Sequence, residues 1–137
     1  MSEILPKGVF TAHGFSNLVP KDAYKLLKEG AILLDVRDPS YIAFKQFDLQ
    51  EILYCPHTEL NDFLQHLPKN RILIVADSVG LFSKEAMNVL KEAGFENIIN
   101  LAGGIVEWEK DGLPVICDKN ERLSGSCVCQ LRPRERK

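Results

Sequence analysis

The sequence predicts a single α/β domain built on a central, mostly parallel sheet flanked by helices. Several short apolar runs are continuous rather than alternating, which is typical of strands buried on both faces of a parallel sheet. Segments whose apolar residues recur at helical spacing separate these runs, and strands that alternate with helices favour right-handed crossovers. The predicted strands lie at 32–34, 52–54, 72–76 and 98–99.

Three segments are predicted to be helices, each with one apolar face. Those faces comprise Ala23, Leu26 and Leu27; Leu60, Phe63, Leu64 and Leu67; and Ala86, Val89, Leu90 and Ala93. Each segment also has a residue suited to start a helix and another suited to end one. These boundary residues are Pro20 and Gly30, Thr58 and Pro68, and Ser83 and Gly94.

The chain divides into three parts by composition. Residues 1–16 are predicted to be an irregular N-terminal lead-in, and residues 17–116 contain the predicted domain. Residues 117–137 form a C-terminal extension with Cys127-Val128-Cys129 and a tail of four basic residues and one acidic residue over 131–137. We expect such a polar, charged extension to be ordered only in part.

Composition excludes several classes of protein. A net charge of −2 argues against nucleic acid as the main partner. The longest apolar runs are far too short to span a bilayer, and the N-terminus does not resemble a signal peptide. We therefore expect a cytoplasmic protein. Its four cysteines are too few for a disulfide scaffold, so reduced thiols are expected.

Two motifs resemble those of the rhodanese-like domain family. The first is Leu-Leu-Asp-Val-Arg-Asp-Pro at 33–39. The second, more specific motif is Asn-Leu-Ala-Gly-Gly-Ile-Val-Glu-Trp at 100–108, followed by Gly-Leu-Pro-Val at 112–115. The resemblance extends over roughly residues 17–116, and the fold it implies agrees with the alternation of strands and helices.

Five residues of these motifs are interpreted as structural rather than catalytic. Gly103 and Gly104 permit a tight turn between a strand and a helix, with the backbone too close for a Cβ. Trp108 is expected to cover the core and to need a partner for its indole N–H. Asp35 and Arg37 end a buried strand, where they are expected to pair with each other or with loop backbone.

The resemblance also implies an active-site loop, and here the chain departs from the family. In active members a cysteine opens the loop and carries sulfane sulfur as a persulfide, in a pattern similar to Cys-x-x-Gly-x-Arg-Ser. Gly80 and Ser83 match that pattern. Asp77 stands at the cysteine position and Phe82 at the arginine position. The degenerate loop comprises Asp77, Ser78, Val79, Gly80, Leu81, Phe82 and Ser83.

These two differences predict a loop without sulfur chemistry. A carboxylate cannot form a persulfide. Asp77 is instead expected to accept the loop's N–H bonds at the start of a helix, where negative charge is favoured. The leading hypothesis is therefore a noncatalytic binding or regulatory module that contacts an unidentified protein partner through residues 77–83. Leu81 and Phe82, if exposed, would supply an apolar contact.

The alternative hypothesis is a sulfurtransferase or sulfur-relay protein that carries a persulfide on Cys127 or Cys129. Arg132 and Arg134 lie close to these thiols in sequence and would raise their reactivity. Its partner would be a thiol or another sulfane-sulfur carrier. A third hypothesis is metal binding through the same two cysteines, but a metal site needs three or four ligands. We predict no resident metal and no cofactor.

The remaining cysteines and histidines give weaker signals. Cys55 precedes a proline after an apolar run and is predicted to be a small buried hydrophobe. Cys117 is left open between a buried and a functional thiol. His13, His57 and His66 show no ligand or triad spacing and are predicted to be surface or capping residues.

Overall fold

A computed structural model describes residues 8–12, 14–79 and 82–117. Within these residues the strands are β1 (Phe10–Ala12), β2 (Phe15–Leu18), β3 (Ile32–Asp35), β4 (Lys45–Phe47), β5 (Ile52–Tyr54), β6 (Leu73–Ala76), β7 (Ile98–Leu101) and β8 (Val115–Cys117). The helices are α1 (Pro20–Lys28), α2 (Pro39–Phe44), α3 (Leu60–Phe63), α4 (Phe82–Glu92) and α5 (Gly104–Lys110). None of the described helices is long and apolar enough to cross a membrane.

The described residues form one six-stranded sheet and one two-stranded sheet. The larger sheet has the strand order β1-β2-β7-β6-β3-β5, in which β1 pairs antiparallel with β2 and all other pairs are parallel. The smaller sheet is the antiparallel pair of β4 and β8. The predicted α/β class and mostly parallel sheet are confirmed.

The core has two layers, one on each face of the larger sheet, because successive strand residues point to opposite faces. Leu33, Ile74 and Ile99 belong to the layer that also contains Trp108 of α5. Their neighbours along the strands belong to the second layer, which α3 and α4 cover. The members of that layer in the three central strands are Ile32, Leu34, Leu73, Val75 and Ile98. Burial on both faces explains the continuous apolar runs of the sequence.

Two predicted helices, α1 and α4, are confirmed, and so are three of their four predicted boundary residues. Pro20 opens α1, and the chain turns at Gly30, which has a positive φ. After α4, the Gly94 N–H donates to the Lys91 carbonyl and the Phe95 N–H to the Leu90 carbonyl, a Schellman ending. The prediction that Ser83 caps α4 is wrong, because Ser83 is the second helical residue and the cap comes from elsewhere.

The predicted helix after Thr58 is shorter than expected. Only α3 is α-helical, and 3-10 turns at His57–Glu59 and Leu64–His66 flank it. Thr58 lies inside the first of these turns, so its prediction as an N-cap is wrong. Phe63 is exposed rather than packed on the core, which removes part of the apolar face that the spacing indicated.

The prediction that the lead-in is irregular is wrong for the part that the structure describes. β1 and β2 form a hairpin there, and β2 adds to the sheet beside β7. Asn17 and Asn100 are opposite each other in that pair, and the Asn100 amide donates to the Asn17 side-chain oxygen at 2.7 Å, with both side chains buried. A polar residue in so short a strand gives no apolar pattern by which to predict it.

Candidate functional site

Asp77 directly follows β6 and its side chain is buried at the carboxyl end of the sheet. One carboxylate oxygen, Oδ2, accepts hydrogen bonds from the backbone N–H groups of Phe82 at 2.6 Å and Ser83 at 3.0 Å. These are the first two residues of α4, whose N–H groups have no partner inside the helix. Asp77 therefore caps α4 from the far end of the loop, as the sequence led us to expect.

The main chain at the beginning of the loop is fixed by a second helix. The Ile105 N–H donates to the Asp77 carbonyl at 2.9 Å, and the Val106 N–H donates to the Ser78 carbonyl at 3.1 Å. Gly104 makes this approach possible, because a Cβ there would lie 2.5 Å from the Asp77 carbonyl oxygen. The loop thus begins between the N-termini of α4 and α5, and the Asp77 side chain bonds to α4.

The position of α5 depends on Trp108. Its ring is fully buried and meets Tyr24 and Phe47 edge to face, at centroid distances of 5.5 and 5.1 Å. Its indole N–H donates to the Pro114 carbonyl at 2.8 Å, which supplies the partner that the sequence called for. Because the ring anchors α5 to both α1 and β4, the turn at Gly103 and Gly104 has a fixed place above β6.

Asp35 and Arg37 form a buried ion pair beside the loop. The guanidinium donates through Nε at 2.9 Å and through Nη2 at 2.7 Å to the two carboxylate oxygens, and the Arg37 backbone N–H also donates to Oδ1. The ring of Phe47 lies 5.6 Å from the guanidinium carbon. Asp35 is opposite Ala76 in the sheet, so this pair lies one residue from Asp77. The bidentate geometry of the Asp35–Arg37 ion pair indicates a structural contact, and the charges of the two side chains cancel.

Phe82 stacks on His57 at the outer side of the loop. The two rings are 4.5 Å apart between centroids and nearly parallel, at 10°. Nδ1 of His57 lies 3.7 Å from a carboxylate oxygen of Glu85, one turn along α4. The sequence gave no signal for this contact, because it joins the turn after β5 to the start of α4. His57 is half-buried rather than fully on the surface.

Apolar side chains surround the loop where it meets solvent. Val79 is 51% exposed, Phe82 50% and Val106 45%. The Val106 N–H donates to the Ser78 carbonyl, and Val79 directly follows Ser78. The exposed side chains of Val79 and Val106 therefore lie on neighbouring segments of the main chain. Leu81, the other half of the predicted apolar contact, lies outside the described residues, as does Gly80.

The two described cysteines differ in state. Cys55 is free and buried, and desolvation, reinforced by the charges of Glu59 and Asp62, raises the pKa of its thiol to about 11. It is the inert small hydrophobe that the sequence predicted. Cys117 is disulfide-bonded, whereas reduced thiols were expected. The predicted sulfur carriers Cys127 and Cys129 lie outside the described residues.

Comparison with known proteins places this arrangement in a family. The profile of the Rhodanese-like domain matches residues 19–111, which is more than half of the chain. The chain belongs to the rhodanese-like domain family. The motifs at 33–39 and 100–108 lie within the matched span.

Among its relatives in this family are two bacterial sulfurtransferases. The thiosulfate sulfurtransferase GlpE of Haemophilus influenzae is 30% identical over 105 residues, covering 74% of this chain and 94% of the relative. A sulfurtransferase of Allochromatium vinosum is 31% identical over 88 residues, covering 64% of this chain and 80% of the relative. The similarity therefore spans most of each relative's length.

Solved structures agree with the fold. A rhodanese-related protein of Thermoplasma volcanium superposes with a TM-score of 0.67 at 28% identity, covering 73% of this chain and 96% of that one. The polysulfide-sulfur transferase of Wolinella succinogenes, a homodimer, gives a TM-score of 0.64 at 33% identity, with 72% and 76% covered. The similar proteins thus include several that are named sulfurtransferases.

The structure brings together only part of the predicted site. Asp77 and Ser78 meet the turn at Gly103 and Gly104. Phe82 and Ser83 bond to the Asp77 side chain, and the pair of Asp35 and Arg37 lies beside it. Among the described residues, no group of three or more His, Cys, Asp or Glu side chains could hold a metal ion. The hydroxyl of Ser83 is buried and, within the same part of the chain, has no hydrogen-bond partner.

Proposed function

We propose that this protein transfers sulfane sulfur, as its relatives do, and that the sulfur is carried by Cys127 or Cys129 of the C-terminal extension. The loop at 77–83 supports the domain's shape in this proposal but does not carry sulfur. The observation that carries the proposal is the contact of Asp77 with the first N–H groups of α4.

That contact leaves no place for a sulfur anion at the start of α4. A persulfide or thiosulfate bound there would need the same two N–H groups that the Asp77 carboxylate already occupies. A second negative charge a few ångströms away would also be repelled, by about 4 kcal/mol at 4 Å for an effective dielectric constant of 20. Residues 77–83 contain no cysteine, so the loop offers no thiol, and the Phe82 and Ser83 N–H groups already donate to Asp77.

The loop also lacks an available cation for an anionic donor. Phe82 stands where the resemblance implies an arginine, and its ring stacks on His57. The guanidinium of Arg37 is close by, but its Nε and Nη2 groups donate to the Asp35 carboxylate, and the side chain is buried. The C-terminal extension, in contrast, has arginines at 132, 134 and 136 and a lysine at 137. An anionic donor is therefore favoured there by charge.

Two of the four cysteines are less suited to carry sulfur, because Cys55 is buried and Cys117 is disulfide-bonded. Cys55 is buried and its pKa of about 11 keeps it protonated at neutral pH, so it is a poor nucleophile. Cys127 and Cys129 follow β8 by ten and twelve residues. Ten residues of extended chain span up to about 35 Å, which exceeds the radius of gyration of a 100-residue domain, about 13 Å. The extension is thus long enough to present these thiols at many points of the surface.

The proposal is tested by measuring transfer of sulfur from thiosulfate to cyanide. We expect thiocyanate production by the wild type and its loss, by at least about tenfold, in Cys127→Ser/Cys129→Ser. Cys55→Ala, which removes a thiol from the core instead, is the matched control and should retain turnover. Turnover that persists in the double variant would contradict the proposal.

A second function is favoured by the exposed apolar side chains around the loop. A noncatalytic module would use Val79, Phe82 and Val106 to contact a protein partner, while Asp77 holds the loop in one shape. The same assay separates the two functions. No turnover by the wild type, together with turnover by Asp77→Cys/Phe82→Arg, would favour the noncatalytic module and would contradict transfer through the extension.

A further inference from the structure

The ring of Phe82 is half exposed but is held in place. Its backbone N–H donates to the Asp77 carboxylate, and one face of the ring stacks on His57. His57 is itself fixed to the sheet, because its backbone N–H donates to the Val36 carbonyl. An exposed aromatic ring that is already ordered loses little conformational entropy when a partner covers it, which favours such a ring as an anchor in an interface.

Two further apolar side chains continue this surface on the side of α5. Val79 and Val106 are each about half exposed, and the main chain joins them through the bond from the Val106 N–H to the Ser78 carbonyl. We call Val79, Phe82 and Val106 the apolar face. Exposed apolar side chains that lie together and are bordered by polar ones are typical of interaction sites, whereas single ones are not.

Carboxylates border the apolar face at its His57 end. Glu85 is largely exposed, and its carboxylate lies 3.7 Å from Nδ1 of His57. Glu59 and Asp62 are exposed on the segment that follows His57. Burial, and after it the charges of these two carboxylates, raises the pKa of the Cys55 thiol at the start of that segment. Three acidic side chains therefore lie on the same side of the apolar face.

Lysine and arginine do not balance these carboxylates. Residues 46–68 contain four acidic residues and no lysine or arginine. Lys84 follows Phe82 by two residues, which turns its side chain by about 200° around α4. Lys110 lies on the α5 side, 3.5 Å from the Glu107 carboxylate. The excess of negative charge is therefore beside His57.

We propose that this surface binds a basic segment of a partner protein. An apolar side chain of that segment covers Phe82, and its lysine or arginine side chains lie against Glu59, Asp62 and Glu85. The apolar centre supplies most of the affinity of such an interface, and complementary charge at its border speeds association and selects against acidic partners. The inference gives a chemistry to the partner contact proposed above, and it holds whether or not the protein also transfers sulfur.

Two synthetic peptides test the proposal on the full-length chain. Gly-Lys-Arg-Leu-Trp-Lys-Arg-Gly has the proposed chemistry, and Gly-Glu-Asp-Leu-Trp-Glu-Asp-Gly has its charges reversed. Fluorescence anisotropy of the labelled peptides measures binding, and amide chemical shifts locate it. We expect the basic peptide to bind at least about tenfold more tightly. Its affinity should fall between about 0.1 M and about 1 M salt, because the Debye length shortens from about 10 to about 3 Å.

Substitutions separate the surface from the net charge of the protein. Phe82→Ser and Glu85→Lys should each weaken binding of the basic peptide at least about fivefold. Glu92→Lys is the matched control, because Glu92 is an exposed glutamate at the other end of α4, about 10 Å along the helix from Glu85. It changes the net charge equally and should bind as the wild type does. Equal losses in Glu85→Lys and Glu92→Lys would overturn the proposal.

The peptides and the shifts also identify other occupants. Equal affinity for the two peptides, or shifts confined to another part of the domain, would overturn the proposal. Shifts at His57 and the start of α4 that depend on protein concentration alone would show that a second copy of this chain covers the surface, and would overturn it too. Failure of sulfur transfer is a separate result, because the thiocyanate assay uses a small-molecule donor and acceptor.

Discussion

Asp77 links the end of β6 to the start of α4 through one carboxylate oxygen and two backbone N–H groups. A capping residue normally lies directly before the first residue of its helix, whereas Asp77 is separated from α4 by the rest of the loop. The contact therefore stabilises both the helix and the loop's shape. In the proposed function it also occupies the N–H groups that a sulfur anion would need, so stabilisation of the loop and the loss of sulfur binding would have the same cause.

We predict that Asp77→Ala lowers the free energy of unfolding by about 2 kcal/mol, because two N–H groups at a partly buried helix end lose their acceptor. Urea unfolding followed by circular dichroism measures this change.

Asp38→Ala is the matched control for that measurement. Asp38 also follows a strand and precedes a helix, but its side chain makes no capping hydrogen bond to α2. The cost should therefore stay below about 0.5 kcal/mol. Equal losses in the two variants would show that Asp77 does not cap α4.

The contacts of single residues could be predicted where one polar group of the side chain requires a hydrogen-bond partner. The sequence predicted a partner for the indole N–H of Trp108 and an N–H contact for the Asp77 carboxylate, and both are present. It did not predict the stacking of His57 on Phe82, which depends on how two distant segments pack. It also assigned the cap to Ser83, because a serine just before an apolar helical pattern is the usual N-cap signal.

At the scale of elements, the loop is defined by the N-termini of two helices that meet it from different sides. α4 approaches through its N–H groups and the Asp77 side chain, and α5 through N–H groups and the main-chain carbonyls of Asp77 and Ser78. The close approach of α5 requires a residue without a Cβ at position 104, where φ is +62°. The turn between β7 and α5 therefore sets the geometry of a loop that begins at Asp77, 26 residues before Gly103 in the sequence.

Gly104→Ala is predicted to destabilise the domain by at least about 3 kcal/mol, because the added Cβ meets backbone carbonyls that cannot move independently of β6. Gly112→Ala is the control. Gly112 also has a positive φ, but nothing lies within 4 Å of a Cβ there. It should lose only the conformational cost, about 1–2 kcal/mol. Thermal or urea unfolding compares the two, and equal losses would contradict the packing argument.

Elements were predictable in proportion to their length and to the regularity of their burial. α1 and α4 bury one face along their whole length, and β3, β6 and β7 are buried on both sides, so their patterns are complete. The strands β1, β2, β4 and β8 are about as short but are only partly buried, so no complete burial pattern marks them. The segment around α3 showed a helical pattern, but its chain divides into one α-turn between two 3-10 turns.

At the scale of the whole molecule, the domain supplies the fold, and in the proposed function the C-terminal extension supplies the sulfur chemistry. The fold is that of the rhodanese-like family. The loop at 77–83 lies between β6 and α4, and the Asp77 carboxylate accepts a hydrogen bond from the start of α4. The family could be inferred from the sequence because its most specific motif is structural. The sequence could offer the thiols of the extension only as an alternative, because a Cys-x-Cys pair has no fixed structural context.

The most direct test of this account locates the sulfur itself. The reduced wild-type protein is treated with a sulfane-sulfur donor, and the added sulfur is mapped by mass spectrometry to individual cysteines, with Cys127→Ser/Cys129→Ser treated in parallel. We predict one added sulfur on Cys127 or Cys129, none on Cys55, and none on the double variant. Sulfur on Cys55, or a wild-type protein that gains no sulfur at all, would contradict the account.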